Sequence, residues 1–63
     1  MATNNLSTKE LGALDELLGS EQLLVKRCRT AATGCTDPAI KQHLTAVAQR
    51  HQAHYDALVK FLN

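Results

Sequence analysis

The sequence predicts an all-α protein, an antiparallel helical hairpin made from one chain of 63 residues. Three observations predict it. A capping signal opens the first of two long stretches, apolar residues recur through both at alternating three- and four-residue steps, and one break of glycine, aspartate and proline divides them.

Ser7-Thr-Lys-Glu10 has the form of a capping box, the Ser7 hydroxyl placed to accept from the Glu10 amide and the Glu10 carboxylate to reach back. Leu6 stands where a hydrophobic staple would be. The first helix is therefore expected over about residues 8–34. Its seam runs through Leu11, Leu14, Leu18, Val25, Cys28, Ala32 and Cys35, with Glu21 in the one gap, and Leu17, Leu24 and Ala31 widen it on one side. Gly12 and Gly19 each cost about 1 kcal/mol of helix propensity against alanine, and neither falls on the seam.

Gly34 through Pro38 is the break: glycine is suited to leave a helix left-handed, Thr36 or Asp37 to cap the next one, and Pro38 to open its first turn. So short a connection, about residues 35–37, makes the helices antiparallel neighbours. The second helix is expected over about residues 38–62, with Ile40, Leu44, Val47, His51, His54, Leu58 and Phe61 on its seam. One helical-hairpin domain thus occupies residues 1–63.

A chain this short buries too little surface to be comfortably stable without a disulfide, a metal or a partner chain. Seven basic and six acidic residues leave it nearly neutral, and Tyr55 and Phe61 are its aromatics. Nucleic acid is not an expected partner, because neither phosphate neutralisation nor base stacking is provided for. No apolar run approaches the roughly 20 residues of a membrane span, and Met1-Ala-Thr-Asn-Asn5 lacks the marks of a secretory signal, so a cytoplasmic protein is expected. Cys28 and Cys35, seven apart on one helix and about 10 Å from each other, are too distant to bridge.

In a hairpin turning near Thr36, residues at one height have numbers summing to about 72, since both helices rise equally per residue. Cys28 then faces Leu44, Val25 faces Val47, Leu14 faces Leu58 and Leu11 faces Phe61. The same rule sets Glu21 opposite His51, with His54 one turn further along. Two histidines at i and i+3 and a carboxylate from the facing helix match the ligands of zinc and of open ferrous sites. The expected cofactor is a divalent metal ion, zinc or iron, on Glu21, His51 and His54. Two other readings stay open: a hydrogen-bond network that fixes helix register and partner number, and a partly exposed groove that holds nothing. His43 reads as a rim residue, and Asp15 as a solvated carboxylate or a partner for one imidazole. No nucleophile–base arrangement, phosphate loop or nucleotide fingerprint is present, so no residue is assigned to catalysis.

Leu6 through Glu21, the Asp37-Pro38 turn and His51-Gln-Ala-His54 together resemble the spore coat protein F family of endospore-forming bacteria, itself similar to ferritin-like and rubrerythrin-like bundles. The resemblance implies a half-bundle that pairs as a homodimer into a ferritin-like four-helix bundle. It also implies sporulation as the setting and other spore coat proteins as partners. Ferritin-like di-iron sites take a glutamate from each of two helices and a Glu-x-x-His pair from each of the others; Glu21 and His54 match those places. His51 departs from them, standing where a bridging glutamate would be, and an imidazole with one lone pair cannot join two metals as a carboxylate does. The expected function is a small spore-coat-like, metal-binding dimeric bundle, the alternative a structural coat or assembly protein whose Glu/His cluster sets register without metal.

Overall fold

The computed structural model describes residues 5–62, so residues 1–4 and 63 of the expected domain, and most of the Met1–Asn5 segment, lie outside the described residues. Helix α1 spans Thr8–Gly34 and helix α2 Pro38–Val59, followed by a short 3-10 turn, η1, at Lys60–Leu62. No strand occurs among the described residues.

Each helix begins where its side chains can satisfy the free amides of a first turn. At α1 the Glu10 amide donates to Ser7 Oγ at 3.1 Å and the Ser7 amide donates to Glu10 Oε1 at 2.9 Å, which completes the capping box. At α2 Asp37 is the cap. Its Oδ1 accepts from the amides of Ala39 and Ile40 at 2.9 and 3.2 Å, and Pro38 occupies the first helical position, where a missing N–H costs nothing.

At the helix C-termini two details differ from expectation. Gly34 does not leave α1 left-handed; no glycine among the described residues has positive φ, and the chain exits through extended Cys35, whose amide donates to Ala32 O at 3.2 Å. The second helix does not stay α-helical to residue 62, because its last three residues tighten into η1, a common way for a helix end to satisfy orphan carbonyls.

The interhelical contact is narrow. Leu14, Val25, Ala32 and Ala48 are its buried apolar residues, and Ala48, at 1% exposure, is the deepest. Ala48 was not on the expected seam, whereas Ile40 and Phe61, which were, are 54% and 53% exposed. At 100° per residue, α2 is therefore turned by most of a quarter-turn from the expected face, so that Leu44, Ala48, His51 and Tyr55 meet α1. A small residue at the closest approach lets the two backbones come together, and the larger apolar side chains are carried outward.

That rotation gives the hairpin two unlike broad faces. On one, steps of seven set Leu17, Leu24 and Ala31 of α1 beside Ile40, Val47, His54 and Phe61 of the second helix and its turn. On the other, Arg29, Thr33, Lys41, Thr45 and Gln49 line an open hollow of about 450 Å³ over Ala32 and Ala48. The Cα envelope measures 46 × 18 × 11 Å, with a radius of gyration of 14.6 Å, against roughly 11 Å for a compact chain of this length. It is a slab one helix thick.

Candidate metal centre

Glu21 is the central residue of α1 and faces α2 at the waist of the slab. Its Oε1 accepts a hydrogen bond from His51 Nδ1 at 2.6 Å, which agrees with the height expected from the turn. His54 Nδ1 lies 3.5 Å from Glu21 Oε2. The imidazoles meet edge to face, with ring centroids 5.6 Å apart and an interplanar angle of 85°. One ligand atom from each of Glu21, His51 and His54 falls within 4.8 Å of the others.

Exposure grades across the three. Glu21 and His51 side chains are 18% and 23% exposed, and His54 is 51% exposed. The cause is the rotation of α2, which aims His51 into the contact and leaves His54 on the apolar face. A carboxylate and two imidazoles held this closely need strong partners, because desolvated polar groups are costly when unpaired. The short His51–Glu21 bond supplies one such partner; His54 has only the longer approach to Oε2.

The donor set fits a divalent ion in kind and number. Three protein ligands from nitrogen and oxygen, with room for a fourth, are what zinc and open ferrous sites use. Metal–ligand distances of about 2.0–2.1 Å separate neighbouring donors by roughly 3.3 Å in a tetrahedral site. The His54–Glu21 separation already meets that spacing. The His51–Glu21 pair would have to open by about 0.7 Å and give up the shared proton before both atoms could ligate.

The remaining candidates lie elsewhere. Asp15 is exposed and makes no hydrogen bond or ion pair with either imidazole. His43 is exposed and outside the cluster. Cys28 and Cys35 are free thiols of intermediate exposure, and Cys35 Sγ lies 3.5 Å from Asp37 O. Tyr55 is half-buried beside His54. The sequence reading missed Ala48; the signal for it was the stripe Leu44, Ala48, His51 and Tyr55, which keeps the three-four spacing with a small residue inside it.

The fold and site together define a helical hairpin with an interhelical Glu-His-His cluster. Over 62 residues the chain is 32% identical to a protein of Bacillus subtilis (strain 168) described as "Uncharacterized protein YuzM", covering 98% of this chain and 76% of that protein. The chain belongs to the family of that protein. No family model matches the chain, and no solved structure matches it. No helix among the described residues is long and apolar enough to cross a membrane.

Proposed function

We propose that this chain is a metal-binding bundle protein, in which two hairpins pair as a homodimeric four-helix bundle and each holds a divalent ion through Glu21, His51 and His54. The observation that carries the reading is the convergence of these three side chains, from two helices and within 4.8 Å, at the waist of the hairpin. Pairing is supported by the apolar face, where Leu17, Leu24, Ile40 and Phe61 are all exposed on a single layer. On the family resemblance alone, the proposal extends to a ferritin-like architecture, a spore-coat setting and partners among coat proteins.

Zinc or iron fits the nitrogen and oxygen donors, and the ion would serve as a structural clasp or a Lewis acid. Glu21 orients the imidazoles, His51 fixes one donor inside the contact, and His54 places another on the open face. A second reading is favoured by one specific distance: the 2.6 Å His51–Glu21 bond already satisfies that pair without an ion, as a register-setting network would require.

Elemental analysis of untagged protein separates the two. Metal binding predicts close to one zinc or iron per chain, with less than a tenth of that retained by His54→Ala and by Glu21→Gln. The network reading predicts metal-free protein and a Glu21→Gln, His51→Leu, His54→Leu variant that is dimeric and more stable.

A further inference from the structure

The half-exposed histidine of the cluster belongs to two features at once. It is a donor in the Glu-His-His group, and it is the third member of the row Ile40, Val47, His54 and Phe61 on the apolar face. The row's neighbour on α1, Leu17, Leu24 and Ala31, repeats with the same step of seven. Two such rows side by side form the surface that one layer of a bundle presents to another.

Several observations point to a second copy of this chain as the occupant. The slab is 11 Å thick, so no part of the described chain covers the cluster from this side. Its 46 × 18 Å outline offers about 830 Å² per copy, which doubles to the roughly 1,600 Å² of a standard stable interface. A net charge of +1 per chain sets up little repulsion between copies. Because Glu21 is the central residue of α1, a twofold axis across the waist, perpendicular to the helices, sets the second α2 over the first and brings both clusters to about one height.

We infer that a second copy docks on this face with its own His54 beside the first, so that metal binding and dimerisation are one linked equilibrium. This rests on the metal-binding reading above. Docking covers the open side of each cluster, removes water from it and brings the second copy's imidazole next to the ion. Unlinked, the ion would sit on a half-exposed ligand. Linkage is reciprocal: whatever factor pairing adds to metal affinity, metal adds to pairing.

The test is sedimentation equilibrium of the full chain with and without zinc ions, beside zinc titration by calorimetry and helicity by circular dichroism. Zinc should lower the dimer dissociation constant at least tenfold. His54→Ala should lose the zinc effect, its dimer constant being the same with and without zinc, whereas His43→Ala, altered on an exposed residue outside the cluster, should keep the effect. Stoichiometric zinc with an unchanged dimer constant would overturn the linkage and leave metal binding standing. Absence of bound zinc, and of bound ferrous iron in a parallel titration, would remove the metal-binding reading and the linkage together. A zinc effect that survives in His54→Ala would place the linking site elsewhere and overturn the inference.

Discussion

The two broad faces of the hairpin come from the same helices and differ in what each asks of its surroundings. The face of Leu17, Leu24, Ile40 and Phe61 exposes large apolar side chains in two parallel rows and carries His54. The face of Arg29, Lys41 and Gln49 is polar, and its threonines are already engaged: Thr33 Oγ1 donates to Arg29 O at 2.9 Å and Thr45 Oγ1 to Lys41 O at 3.0 Å. Water suits the second face. The first leaves apolar surface uncovered, and a contact with four buried residues among the described ones is a small core for a 63-residue chain. The cluster lies on the side where apolar surface is left uncovered.

Introducing a charge breaks this comparison most directly. On the proposed pairing, a glutamate in place of Leu24 would be buried against the second copy, whereas one in place of Thr45 would stay in water. Leu24→Glu should weaken dimerisation by about two orders of magnitude, roughly 3 kcal/mol of lost apolar burial over two copies. Thr45→Glu should leave it within threefold. Sedimentation at matched concentrations reads both. Equal effects from the two substitutions would mean that the faces are not distinguished by docking.

Much of this arrangement was legible in the residues, and the seam residues that were misplaced have one cause. Capping chemistry set both helix starts, because Ser7, Glu10 and Asp37 act within their own first turns. The turn at residues 35–37 then fixed the height at which Glu21 meets His51, so that the pairing behind their 2.6 Å bond was legible from counting. Rotation about the helix axis was harder to read. A period near 3.5 says which residues share a stripe, but α2 carries two stripes that could face α1, one with Ile40, Val47 and Phe61 and one with Leu44, Ala48 and Tyr55. Size decides between them at the closest approach, and the small side chain of Ala48 wins over the bulk of Val47. For the same reason the expected Leu11–Phe61 pair lies at exposed positions, 43% and 53%, at the open end of the hairpin.

Enlarging the closest approach sharpens the assignment of faces. Ala48 is 1% exposed, so Ala48→Leu must push the helices apart or force a strained rotamer, at a cost of about 1–3 kcal/mol. Ile40→Leu, on the open face, conserves volume and should cost less than that. Thermal unfolding followed at 222 nm, at one protein concentration, measures the difference. Should both substitutions cost the same, the contact would be centred between the two stripes and the faces would be less distinct than the packing indicates.

The smallest effect expected comes from the start of α1, which belongs to neither face. Donation from the Ser7 backbone amide, and behind it the Ser7 hydroxyl, holds the Glu10 carboxyl below the ordinary glutamate range, while slight burial opposes them. A carboxyl whose folded-state pKa is depressed stabilises the fold fully above its unfolded value, and loses that contribution as pH falls through the folded one. Helix α1 should therefore fray at its first turn on acidification from the ordinary glutamate range downward. Amide exchange at residues near Glu10 should rise there, and a Glu10→Gln variant should lack this pH dependence. Because the Ser7 box is remote from the waist, dimerisation should be the same in parent and variant at neutral pH. A change in dimer constant on substituting Glu10 would show that the α1 terminus contributes to the docking face and would extend that face beyond the two rows.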